Sequence, residues 1–215
     1  MKRRLWTSLL LLGALASPAM ADEWKAPIEG STNPPATEAL KNFQHFEHKD
    51  VSTSPPFNEK GTTESALAHL QANMGLRSIQ RVKEWNEAAS TEGGRTLIIE
   101  PVIEHIRFVT PARRVFLGPL MGGSHIDMRV KLVDAATGDV IGEPRFYQHA
   151  GAGAAGWAFG AVDRAMVIRL SNMVDAYLRD NYEQPATTRV DLMPELTPEQ
   201  QQDAIARQQR AGTTE

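Results

Sequence analysis

The chain has 215 residues, no cysteine and a formal net charge of −3. Without cysteine there is no structural disulfide, no thiolate metal site and no residue on which a bacterial lipid anchor is built. The slight acidic balance offers no electrostatic footprint for nucleic acid or an anionic membrane surface.

The amino end reads "MKRRLWTSLLLLGALASPAMADEW". Lys2, Arg3 and Arg4 form a basic start, an apolar run follows, and Ala19-Met20-Ala21 is a small-x-small cleavage pattern. That order predicts a secretory signal peptide over residues 1–21, cut after Ala21. The apolar run is shorter than the ~20 residues a spanning helix needs, so no stable membrane anchor is expected. Export without disulfides fits a bacterial periplasm.

Residues 22–38, with "APIEGSTNPPAT", are polar and proline-rich and read as a flexible lead-in. The stretch "FQHFEHKDV", Phe43 to Val51, is expected as a first strand. "TTESALAHLQANM" places Leu67, Leu70 and Met74 at helical spacing. Gly75 weakens that helix, but Leu76, Ile79, Val82 and Trp85 recur every third residue, so the helix is continued through them.

"TLIIEPVIEHIRFV", Thr96 to Val109, is a strand in which Pro101 marks an edge or a bulge. In "SHIDMRVKLVD", Ile126, Met128, Val130 and Leu132 alternate with His125, Asp127, Arg129 and Lys131. This predicts one buried face and one wet face. "DAATGD" is a turn in which Asp134 bonds back to the chain and Gly138 takes positive φ. "VIGEPRFYQHA" closes a hairpin. Val162, Met166, Leu170, Met173, Val174 and Tyr177 then form one helical stripe. The rest, 184–215, is rich in proline and glutamine and is expected to be a disordered tail. The order predicts an α+β fold: a small, mainly antiparallel sheet with helices packed on one face, in a single domain over 39–183.

Gly151, Gly153 and Gly156 spell G-x-G-x-x-G between a strand and a helix. A dinucleotide turn needs a second parallel strand and an acidic residue on the ribose, and here the candidate Asp175 falls within the helix. The run instead lets backbones pass closely, and with Trp157 and Phe159 it is a candidate interaction loop. No cofactor is expected.

His45 and His48 lack the spacing and the third ligand of a zinc site, so no metal is expected. Ser124 and His125 are adjacent on a strand and point to opposite faces. Glu100 and Glu104 sit four apart near Arg107 and read as solvated surface, as do Arg113 and Arg114. No catalytic residue is assigned.

The run "LGPLMGGSHIDMRVKLVDAATGDVIGE", Leu117 to Glu143, followed by a glycine-rich loop and a long helix, resembles a bacterial family known as domain of unknown function 4410. The likeness rests on the glycine-rich lead-in, the alternating strand and the D-x-x-T-G turn at Asp134, Thr137 and Gly138. It implies an envelope protein with no assigned activity, often a lipoprotein, although this chain lacks the anchoring cysteine. The expected function is therefore a non-catalytic protein-interaction module of the periplasm with an envelope protein as partner. A small-ligand-binding protein is the alternative, and a hydrolase comes third.

Overall fold

The computed structural model describes residues 25–28, 30–54, 62–89, 93–107, 124–150 and 161–191. The expected signal peptide, residues 1–21 with its cut after Ala21, lies outside them. The fold is a single α+β domain whose sheet is mainly antiparallel.

In chain order the elements are β1 (Thr32–Asn33), a 3₁₀ turn (Leu40–Asn42), β2 (His45–His48), β3 (Ser52–Thr53), α1 (Thr62–Gly75) and α2 (Ser78–Ala88). Then follow β4 (Thr96–Arg107), β5 (Ser124–Asp134), β6 (Val140–Gly142), β7 (Arg145–Ala150), α3 (Ala161–Asp180) and β8 (Thr188–Arg189). Strands β4 and β5 form the long antiparallel centre of the sheet. Along the outer edge of β5 run β7 and β6, both antiparallel to it. Along the outer edge of β4 run β2 and β3, both parallel to it. A separate ribbon joins β1 to β8.

The predicted alternation in β5 holds on its apolar side, where Ile126, Met128, Val130 and Leu132 are all buried. They meet Leu97, Ile99, Ile103 and Ile106 of β4, Phe146 of β7, and Met166, Leu170 and Tyr177 of α3 in one core. The turn after β5 is also as expected. Asp134 Oδ1 accepts the Ala136 N–H at 2.9 Å, and Gly138 has φ of 78°.

Pro101 sits at a local edge, where the outer side of β4 is unpaired between β2 and β3. It stands opposite Val130, whose N–H turns away to Pro144 O at 2.9 Å. That makes the pair non-hydrogen-bonded, so the missing proline donor faces the other neighbour. There the chain has left β2 at His48 and resumes in β3 at Ser52, and the gap tolerates the loss. The irregularity falls three residues later. The register between β4 and β5 slips between Ile103 and His105. One extra residue there exchanges the faces of all that follow, which keeps Ile106 opposite Ile126 and sends His105 to the other side.

Two expectations on the helices and termini are corrected. The helix does not continue through Leu76. It ends at Gly75, and Arg77 adopts φ −135°, ψ −96° before α2 begins. The Arg77 guanidinium donates to Asn73 O and Oδ1 at 3.1 Å, closing the first helix, and Leu76 is left 77% exposed. The chain also packs beyond both expected domain limits. Ala36 and Val190 are buried, β1 and β8 pair, and Val190 exchanges backbone bonds with Ser31 and Tyr147 at 2.9 Å. Short polar segments order here because their backbone groups are paired, not because they carry an apolar stripe.

Ending the chain at Pro185 removes β8 and the buried Val190. We expect a loss of roughly 2 kcal/mol or more from the lost valine burial alone. A chemical-unfolding midpoint equal to that of the full chain would show that the ribbon contributes nothing.

Candidate functional site

The face of the sheet opposite the helices carries the densest chemistry. Register places His105 beside Asp127 and Asp127 beside Tyr147, with His125 opposite His149 one pair further along. This face was expected to be wet. Instead Asp127 is fully buried and His125 is only 9% exposed. Strand β5 is flanked on both edges, so neighbouring side chains close over its second face as well.

Two carboxylates organise the cluster, and an arginine grips each through two oxygens. Arg145 donates Nε to Asp127 Oδ1 at 2.8 Å and Nη2 to Asp127 Oδ2. Arg129 donates Nε and Nη2 to the two oxygens of Glu104 at 2.7 and 3.0 Å. Fork-to-carboxylate pairs of this kind fix orientation as well as charge. Each holds its guanidinium more firmly protonated than usual, Arg145 through Asp127 and Arg129 through Glu104. Glu104 is therefore no solvated carboxylate beside Arg107. It sits at the bulge and reaches across to β5. The same Arg145 Nη2 also donates to Lys25 O at 3.1 Å, which brings the amino-terminal chain over this end of the face.

Beside the ion pairs lies a histidine pair. His105 Nδ1 and His125 Nε2 are 2.7 Å apart, and the rings stack with centroids at 4.8 Å. One ring must accept while the other donates, so at least one is neutral. Burial pushes His105 below its ordinary range, with Asp127 opposing the shift. Burial likewise pushes the Tyr147 hydroxyl up. Tyr147 stacks on His149 at 5.7 Å and tilts toward His125 at 6.2 Å.

A third network closes the other end of the sheet. Arg95 clamps both Glu38 and the buried Asp134, with contacts of 2.7 to 2.9 Å, and lies 4.2 Å over the Phe43 ring. Arg95 holds Glu38 below the usual carboxylate range. The Ala136 N–H does the same for Asp134, helped by Arg95.

The candidate interaction loop, Gly151, Gly153, Gly156, Trp157 and Phe159, lies outside the described residues. It follows directly on β7, whose His149 ends the cluster just described. Ser124 is buried on the core side while His125 lies on the other face, so they do not pair. His48 turns to Ser78, with Nε2 at 3.1 Å from its Oγ, and burial pushes its pKa down. Among the described residues no three metal-ligating side chains come together, and no helix is long and apolar enough to cross a membrane.

The sequence reasoning missed the set formed by Asp127, Arg145, His105, His125 and Tyr147. One signal was present: aspartate is depleted from strand interiors, and Asp127 sits mid-strand.

No family model matches the chain. No curated protein matches it either. Domain of unknown function 4410 is therefore not shown. Among solved structures, a PelC dodecamer from Paraburkholderia phytofirmans is similar at 12% identity, over 66% of this chain and 94% of that one, with a TM-score of 0.36. A hypothetical protein from Chlamydia trachomatis is similar at 8% identity, over 65% and 99%, with a TM-score of 0.37. A Xanthomonas campestris protein of domain-of-unknown-function family 330 follows at 10% identity, over 79% and 89%, with a TM-score of 0.31. Likenesses this distant decide nothing about what the chain does.

The histidine pair generates a pH dependence. A histidine with a depressed folded pKa is neutral in the folded state where the unfolded chain already binds a proton. Its stabilising effect is complete above the unfolded value of 6.5 and is lost as pH falls through the lower folded value. Glu38 and Asp134 act only below the ordinary carboxylate range, about pH 4, which separates the two windows. We expect thermal stability to fall from about pH 7 to pH 5, and to fall less in His105→Gln. Parallel curves for the two proteins would remove His105 from the account.

Proposed function

We propose that the chain is an exported envelope protein that works by holding another envelope protein, without chemistry of its own. The observation that carries this reading is the state of the carboxylates on the outer face. Asp127 and Glu104 are each locked to an arginine through both oxygens. A general base must be able to take up a proton and release its partner during the reaction. Carboxylates fixed in this way serve instead as rigid supports for the rings beside them.

Export rests on the basic start, the apolar run and Ala19-Met20-Ala21. The docking region we assign is the end of the face at His149, together with the loop carrying Gly151, Gly153, Gly156, Trp157 and Phe159. Large aromatic groups beside polar, ring-bearing neighbours are the composition in which interface anchors are enriched.

A photo-crosslinking residue placed at 149 or 157 and activated in intact cells tests this directly. The same exported protein should be trapped from both positions and not from Glu87, which is exposed on α2. The recovered chain should begin at Asp22. Equal trapping from position 87, a cytoplasmic partner, or an intact Met1 on the recovered chain would each contradict the proposal.

A further inference from the structure

A second feature lies at a different place and does not depend on the outer face. Between α3 and the β1–β8 ribbon runs an open groove of about 450 Å³. Asn172, Met173 and Ala176 of α3 form one wall, and Thr32, Thr187 and Thr188 contribute to the other. Its volume falls within the ~300–1,000 Å³ typical of small-molecule sites.

Three observations give the groove a polarity. The first is an unneutralised cation. Arg169 stands three and four residues before Asn172 and Met173 and seven before Ala176, so it lies on the same stripe of α3. It stands one turn before Met173 and roughly 10 Å from Ala176 along the helix, just beyond the groove's own lining. Its Nε donates to Gln148 Oε1 at 2.9 Å, and among the described residues it pairs with no carboxylate. Burial alone acts on it and weakens its hold on the proton.

Gln148 is itself buried and is held by Met173 Sδ at 3.3 Å, which ties the arginine to the groove floor. On the same end Arg77 donates to Asn172 Oδ1 and to Asn73, again with no carboxylate among the described residues.

The second observation is the contrast at the far end. There Arg179 has Asp180 at 2.9 Å, and Arg189 has Asp191 at 3.2 Å. The arginines that line the groove are neutralised, and the open positive charge stands just beyond its Asn172–Met173 end.

The third is an orphan. Thr188 Oγ1, in the groove wall, is buried and has no hydrogen-bond partner among the described residues. Buried polar atoms are seldom left so, which sets this wall of the groove apart from the rest of the fold.

We propose that this groove binds a small amphiphilic anion, its apolar part along Met173 and Ala176 and its anionic oxygens on the Arg169 guanidinium. Carboxylate and phosphate esters share that chemistry. The planar guanidinium suits both.

Titration calorimetry and thermal shift on the full mature chain test this with four probes: decanoate, decyl phosphate, decanol and acetate. Decanoate or decyl phosphate should bind and raise the unfolding temperature, because a ligand that binds only the folded form stabilises it. Tighter decanoate assigns a fatty acid, and tighter decyl phosphate assigns a phosphate ester. Decanol and acetate, each lacking one half of the recognition, should bind at least about tenfold more weakly.

Arg169→Gln should weaken the anion by about tenfold or more, Arg169→Lys should retain most of the affinity, and Ala176→Trp should abolish binding by filling the groove. Circular dichroism confirms that each variant is folded. The proposal is overturned if neither anion binds, if decanol binds as well as decanoate, or if folded Arg169→Gln binds unchanged. The comparison of decanol with decanoate needs no variant and stands even if Arg169→Gln fails to fold.

Discussion

Strand β5 is bonded along both edges, and its first half, Ser124 to Met128, is buried on both faces, so side chains there must find their partners inside the molecule. On one face the solution is apolar: Ile126, Met128, Val130 and Leu132 supply the middle of the core. On the other it is ionic. A fully buried Asp127 cannot stand alone, because a lone charge out of water costs several kcal/mol even after relaxation. Arg145 answers it from the neighbouring strand, one diagonal step away in the register. The diagonal requires β7 to pair with β5 in this register and no other, so the ion pair and the apolar alternation specify the same alignment.

The bulge in β4 follows from the same constraint. Ile103 and Ile106 both belong to the core, although they are an odd number of residues apart on a strand. Strict alternation would bury one and expose the other. The register slip before His105 removes the conflict and places His105 next to Asp127 and His125. The histidine pair is thus a by-product of keeping two isoleucines in the core.

Side-chain amides finish the outer edges of the sheet, at β7 and β2. Asn33 bonds both the N–H and the C=O of Arg145 at 2.8 Å, and Asn86 does the same for Phe46 at 2.8 and 2.9 Å. The fully buried Asn181 accepts from the N–H groups of Ala36 and Ala186 and donates to Tyr177 O. An asparagine that pairs a strand residue on both sides takes the place of another strand and blocks edge-to-edge association. Asn181 also joins the start of the domain to its end, which is why residues on both flanks pack.

Much of this was legible in the sequence where one period dominated. The β5 alternation, the Asp134 turn with Gly138, and the long stripe of α3 all emerged from spacing, because each depends on local geometry alone. What was hidden depended on distant partners. Asp127 reads as a wet-face residue until Arg145 is known to lie diagonal to it. Asn33 and Val190 read as loop because their pairing is with each other's ribbon and with β7, more than a hundred residues away in one case. The break after Gly75 was hidden for a different reason: the apolar spacing from Leu76 to Trp85 is truly helical, and only the exposure of Leu76 reveals the interruption.

The most direct test of the two-faced strand is a double-mutant cycle on Asp127→Asn and Arg145→Gln, read by denaturant unfolding. Each single change should destabilise by roughly 3 kcal/mol, since it leaves one partner of a buried pair uncompensated, while the double variant should lose far less than the sum. A coupling energy above about 1 kcal/mol is the result this account predicts. Additive losses would contradict it, because they would mean that Asp127 and Arg145 are supported separately and that the ionic face does not align the sheet.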